Sequence, residues 1–230
     1  MKADADNPSI DRFARAVTRP YFRLLHGLRW SGQQNVPAGG AAILAANHQS
    51  FYDPVLIGIA ARRRVVFLGW QYYYGWPVLG RLMRMFGTVP VDLDAPGPTP
   101  LAGMLRALRA GRLCGIFPEG GRTSDGLMQP PHAGVAALAL RTGVPVVPVT
   151  ICGAYRAWPR GVPVPLPAAI SLHFGQPVRF ESDRGMPGED KQRARERVTR
   201  DIMLRVADGF AVLGRPDLAH ACRRRILAPG

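Results

Sequence analysis

AAILAANHQSFYDPVLIGIAA, residues 41–61, is the stretch on which the fold turns. It starts as a short apolar run, breaks into a polar loop at Asn47, and resumes as a second apolar segment behind Asp53 and Pro54. A run this short, bounded by turn residues, reads as a strand, and the Asp-Pro pair reads as the start of a helix. Strand, loop and helix in that order recur on both sides. Residues 65–68, 88–91, 113–117, 144–150 and 170–174 form further short apolar runs, and residues 76–86, 100–110 and 134–142 fall between them as helical segments. Such alternation predicts an α/β fold with a mostly parallel central sheet flanked by helices, whose functional loops gather at the carboxyl ends of strands.

His48 and Asp53 share the first of those loops, five positions apart. Asp53 has two readings that do not exclude each other. Its carboxylate can cap the helix that Pro54 opens, and it can accept a bond from the imidazole of His48, fixing the tautomer so that the other ring nitrogen is free to remove a proton. Histidine ordinarily titrates near neutral pH, which suits that task. No other histidine stands at metal-ligand spacing to His48, so no metal is expected. The second loop is GIFPEGGRTSDG, residues 115–126, in which an apolar strand breaks at Pro118 into a glycine-rich turn carrying Glu119, Gly120, Gly121, Arg122 and Thr123. Glycines admit close backbone approach and a guanidinium pairs with phosphate. The spacing is not that of a P-loop.

Outward of these loops the chain is cationic. Its 230 residues carry 30 Lys and Arg against 16 Asp and Glu, a formal charge of +14 that draws polyanions. Neither a helix-turn-helix, a zinc finger nor an RNA-recognition signature accompanies that charge, so nucleic acid is not an expected partner. The three cysteines are scattered, which suits a reducing compartment. Residues 1–9 lack the apolar core of a secretory signal, and no apolar run reaches the roughly 18–20 residues that span a bilayer. Residues 10–30 place Phe13, Val17, Tyr21, Leu24, Leu25 and Leu28 at helical spacing among arginines, with a kink or restart expected at Pro20. This basic amphipathic helix either docks on its own domain or lies in lipid headgroups. The division expected is an N-terminal helix over residues 1–32 and an α/β domain over 33–230, with two outer helices, residues 188–210 and one around the arginines 223–225, closing the chain.

The two loops together, in this order and about 70 residues apart, resemble the glycerolipid and lysophospholipid acyltransferase family. NHQSFYD is similar to that family's His, four residues, Asp block, FPEGGRT to its Phe-Pro-Glu-Gly-x-Arg-Ser/Thr block, and VPVVPVTICG, residues 144–153, to its later Val-Pro-rich strand. The resemblance implies an O-acyltransferase that moves a fatty acyl group from acyl-CoA or acyl carrier protein to the free hydroxyl of a lysophospholipid such as 1-acylglycerol 3-phosphate. It implies His48 as general base, Asp53 as its partner, and Glu119, Gly120, Gly121, Arg122 and Thr123 at the acceptor site. No cofactor is implied beyond the thioester co-substrate. The implied setting is peripheral, on the cytoplasmic face of the cell membrane against an anionic surface.

Three positions depart from the family pattern. In GTVPVDL, residues 87–93, Leu93 stands where an arginine is expected, and Arg81, Arg84 or Arg106 are the candidates to replace it. GWQYYYGWP, residues 69–77, replaces a stretch that often carries a lysine, and its aromatics serve either the core or a membrane interface. Ala133 occupies a position where a basic residue is usual. With His48 and Asp53 intact, these departures point to an altered acceptor rather than lost chemistry and leave open an acyltransferase for a phosphate-free lysolipid such as a lyso-ornithine lipid. The high charge and amphipathic ends leave open an inactive membrane-binding relative.

Overall fold

The computed structural model describes residues 8–77, 80, 81, 83, 88–91 and 99–228. Leu93 and Arg84 lie outside the described residues, as does most of the helix expected over residues 76–86.

The strands are β1 (Arg29–Ser31), β2 (Ala42–Ala46), β3 (Val65–Trp70), β4 (Val89–Val91), β5 (Leu113–Ile116), β6 (Val146–Cys152) and β7 (Ser171–Phe174). They form one sheet in the order β1-β7-β6-β2-β5-β3-β4. Every neighbouring pair is parallel except β6 and β7. The helices of at least eight residues are α1 (Pro8–His26), α2 (Asp53–Ala60), α3 (Thr99–Arg109), α4 (Gly134–Thr142), α6 (Gly188–Val212) and α7 (Pro216–Leu227), and α5 (Ala154–Ala157) is a single turn.

β2 lies mid-sheet between β5 and β6, with all five residues buried. The sheet divides its apolar residues between two cores. Leu44, Leu56, Ile57, Phe67, Val149 and Phe174 pack on the α2 side. Ile43, Met104, Leu138, Val146 and Ile202 pack on the side covered by α3, α4 and α6. A third cluster around Met203, Phe210 and Cys222 joins α6 to α7. Cys114, Cys152 and Cys222 are all free and buried, and burial pushes the Cys114 thiol up to about 12.

Two expectations at the amino end are corrected. The first helix runs through Pro20 without a break. It also stops at His26, short of residue 30, because Gly27 takes φ +53 and lets the Leu28 N–H reach back to the Phe22 carbonyl at 3.1 Å, a helix-ending turn that glycine adopts without strain. Arg29–Ser31 then form an edge strand beside β7. The helix is tied to the loop after α2 by Arg15, whose guanidinium donates to the carbonyls of Ala61 at 2.6 Å and Arg63 at 3.0 Å. Phe22 and His26 are buried against the domain, whereas Val17, Leu25 and Leu24, the last 88% exposed, face outward, and the exposed Tyr21 reaches back with its hydroxyl to that of Tyr52 at 2.8 Å. Arg19 and Arg23 lie over the Trp30 ring.

Candidate active site

Three loops meet at the carboxyl ends of β2, β5 and β6, neighbours in the sheet. β2 ends in Asn47, whose buried amide donates to the Ile151 carbonyl at 2.9 Å and accepts from its N–H at 2.8 Å. The side chain thereby extends the pairing of β2 with β6 and fixes where the next residue starts. That residue is His48. Its backbone is held by the neighbouring loop after β5: its N–H donates to Glu119 Oε1 at 2.8 Å, and its carbonyl accepts from the Thr123 N–H at 2.9 Å. Phe117, the residue next after β5, stacks on the imidazole with ring centroids 4.0 Å apart and planes 16° from parallel.

His48 Nδ1 lies 2.8 Å from Asp53 Oδ2. The same oxygen accepts the backbone N–H groups of Gln49 at 2.5 Å and Ser50 at 2.7 Å. An oxygen already accepting two N–H groups is an acceptor toward the ring as well, so Nδ1 carries the proton and Nε2 presents a lone pair. Asp53 is 0% exposed, and the His48 side chain 18%. The ring is therefore clamped on one face and at Nδ1, and Nε2 has no hydrogen-bond partner among the described residues. Asp53 does not cap the helix: its carboxylate binds N–H groups that precede α2, and no side-chain cap bond is made there.

The loop after β5 contributes in two ways. Glu119 and Thr123 are buried and committed to the loop itself. Glu119 Oε2 accepts the Gln129 N–H at 2.7 Å, and the Thr123 hydroxyl donates within the turn, to the Leu127 carbonyl at 2.7 Å. Both build the site from behind. Burial raises the Glu119 carboxyl to about 7, against the opposing pull of the two N–H groups it accepts. Gly120 turns the chain at φ +70, where an added Cβ would meet the His132 ring, and Gly121 is exposed beside it. Arg122 lies half-buried on the Phe51 ring, its guanidinium carbon 3.5 Å from the ring centroid. Its Nη1 is buried with no hydrogen-bond partner, and burial presses the group below its ordinary value. A desolvated cation in that state invites an anion.

Phe51 belongs to an aromatic rim. Trp158 packs on it at 5.5 Å and Tyr73 at 6.1 Å, and Tyr73 in turn meets Tyr72 and Trp76. Tyr72 and Trp76 are exposed, so these two members of the aromatic stretch stand at the surface and not in the core. Among the described residues no group of three or more His, Cys, Asp or Glu could hold a metal ion.

Residues 27–152, more than half of the chain, match the family model described as Acyltransferase. The chain belongs to the Acyltransferase family. His48, Asp53 and the loop after β5 all lie inside the matched segment. The crystal structure of the 1-acyl-sn-glycerophosphate (LPA) acyltransferase PlsC from Thermotoga maritima superposes with a TM-score of 0.64 at 26% identity, over 84% of this chain and 76% of that one. The 1-acyl-sn-glycerol-3-phosphate acyltransferase of Bacillus subtilis is 22% identical over 78% of this chain and 88% of its own length. A chloroplastic 1-acyl-sn-glycerol-3-phosphate acyltransferase of Brassica napus, BAT2, is 32% identical over 56% of this chain, which spans 38% of the longer plant protein.

Within this Acyltransferase-family site, sequence reasoning missed Phe117, Phe51, Ser50 and Trp158. Phe117 and Phe51 stood inside the quoted motifs, and their aromatic character beside His48 and Arg122 was the available signal. Ser50 donates to the Trp158 carbonyl at 3.0 Å across 108 residues, a pairing that no local pattern encodes.

Proposed function

We propose that this chain transfers a fatty acyl group from a thioester to the free hydroxyl of a lysophospholipid of the 1-acylglycerol 3-phosphate kind. The observation that carries the reading is the Nδ1 contact of His48 with an Asp53 oxygen that two backbone N–H groups also hold. Nε2 removes the hydroxyl proton as the lipid oxygen attacks the thioester carbonyl. The carbon–sulfur bond then breaks, and the imidazolium returns the proton to the departing thiolate, so no covalent acyl-enzyme is formed. Asp53 stabilises the imidazolium between those steps. Arg122, whose buried Nη1 has no hydrogen-bond partner, is the group for the acceptor phosphate, and the names of the Bacillus, Brassica and Thermotoga relatives support that acceptor. The donor is acyl-CoA or acyl carrier protein.

The site works at a lipid surface. Val17, Tyr21, Leu24 and Leu25 on α1, with Phe51, Tyr72 and Trp76 at the rim, are exposed on a chain of net charge +14, the composition of a peripheral contact with an anionic leaflet on the cytoplasmic face. Among the described residues no helix is long and apolar enough to cross a membrane.

The test is ester formation from labelled acyl thioester on 1-acylglycerol 3-phosphate and on a phosphate-free lysolipid. His48→Ala and Asp53→Asn are expected to lower kcat by about 10²- to 10⁴-fold. A His48→Ala enzyme as fast as the parent would remove the base assigned here. Product on the phosphate-free acceptor alone would favour the second reading, to which Leu93 lends support.

A further inference from the structure

We propose that Arg160 is the second cation of the acceptor site, pairing with Arg122 on the phosphate monoester of the lysolipid and setting the preference for a phosphate-bearing acceptor. The inference rests on the acyl-transfer reading above and adds a residue to it.

The loop after β6 sets the placement. Gly153, at φ +89, turns the chain into α5, and Trp158 then anchors residues 159–162. The Trp158 carbonyl accepts the Ser50 hydroxyl at 3.0 Å, and its ring packs on Phe51 at 5.5 Å and Tyr52 at 5.0 Å. Its indole N–H donates to the Val162 carbonyl at 2.8 Å, closing a tight turn in which Gly161 takes φ +85. Arg160 sits at the tip of that turn. The turn is thus fastened to the His48–Asp53 loop through Ser50, and to the Arg122 platform through Phe51, the ring beneath the guanidinium.

Arg160 is exposed and makes no hydrogen bond or ion pair among the described residues, yet its charge acts on Arg122 and lowers the pKa of that group. The two guanidiniums repel, Tyr73 and the Asp53 carboxylate offset part of that at Arg122, and no ion pair holds either guanidinium among the described residues, so a ligand of two negative charges relieves what remains. A phosphate monoester carries about −1.5 to −2 at pH 7 and offers three acceptor oxygens, enough for both forks. Leu93 leaves the family's usual second arginine absent, and Arg160 supplies the missing charge from a different loop. Arg81 and Arg106, the other described candidates, are exposed as Arg160 is, but neither is among the charges acting on Arg122.

The experiment compares the parent enzyme with Arg160→Gln and Arg160→Lys, in neutral detergent micelles so that bulk lipid charge plays no part. KM is measured for 1-acylglycerol 3-phosphate, for monoacylglycerol and for the acyl-CoA donor. Arg160→Gln is expected to raise KM for the phosphate acceptor about 10- to 100-fold, the usual worth of one charge-assisted contact. Monoacylglycerol turnover and acyl-CoA KM stay at parent values, and Arg160→Lys recovers part of the loss. Retained monoacylglycerol turnover reports that the variant is folded. An unchanged acceptor KM, or a rise confined to acyl-CoA, overturns the assignment of Arg160 and leaves the acyl-transfer reading standing. A parent enzyme that makes no ester on 1-acylglycerol 3-phosphate overturns both.

Discussion

Glu119 shows how a motif residue can matter without facing the substrate. One carboxylate oxygen holds the His48 N–H and the other the Gln129 N–H, so the side chain joins the base to the loop that carries Arg122. Burial keeps its proton up to about pH 7, whereas its ordinary value is 4.5. Between those values the unfolded chain has lost a proton that the folded chain retains, so this group's contribution to stability is complete below 4.5 and declines as pH rises toward 7. Glu119→Gln cannot ionise. The difference in unfolding free energy between parent and variant is therefore expected to shrink across that interval, as measured by denaturant titration at several pH values. A difference that grows with pH would mean that the two N–H groups outweigh burial. The His48–Asp53 contact was legible at this scale from residue type and spacing, whereas a place for Arg122 at the acceptor was implied by the family resemblance alone. What the sequence concealed was direction. Nothing in FPEGGRT says that Glu119 and Thr123 turn inward while Arg122 turns onto the Phe51 ring, since partners such as Gln129 and Leu127 decide it.

At the scale of elements, β2 to β6 were legible as short apolar runs and β7 as a segment whose apolar Leu172 and Phe174 alternate with Ser171 and His173, and α4 was expected over the same residues that it occupies. β1 was not. Arg-Trp-Ser alternates exposed, half-buried and exposed at the edge of the sheet, so it has no apolar run to betray it, and its arginine fitted the basic helix just as well. Helix placement has a similar hidden determinant in Gly209 on α6. A Cβ there would overlap the Thr150 hydroxyl of β6, which itself donates to the Val206 carbonyl at 2.5 Å. The absence of a side chain is what lets α6 lie flat on the strand leading to the Trp158 loop. Gly209→Ala is expected to cost about 1–3 kcal/mol of unfolding free energy by overpacking, read from the denaturation midpoint. Adding Thr150→Ala should restore part of the loss if this contact is its origin, and strictly additive losses would place the cause elsewhere.

Over the whole molecule, charge and exposed apolar residues combine at the amino end. Leu24, 88% exposed on α1, makes little contact with its own domain, so Leu24→Glu is expected to leave thermal stability unchanged while weakening sedimentation with anionic vesicles. Raising ionic strength should weaken parent binding too, because screening acts on the +14 charge. Equal binding by parent and variant would remove α1 from the contact. The edge strand has a consequence of another kind. Among the described residues β1 pairs with residues 171–173 alone, far away in sequence. On a ribosome adding about 5–20 residues per second, β1 waits on the order of ten seconds or more before that partner emerges, whereas the contacts of α1 with Tyr52, Ala61 and Arg63 need only the next few dozen residues. The order of synthesis thus runs against the order of assembly. β1 is made long before it can be paired, and during that interval its open backbone edge is available to a chaperone.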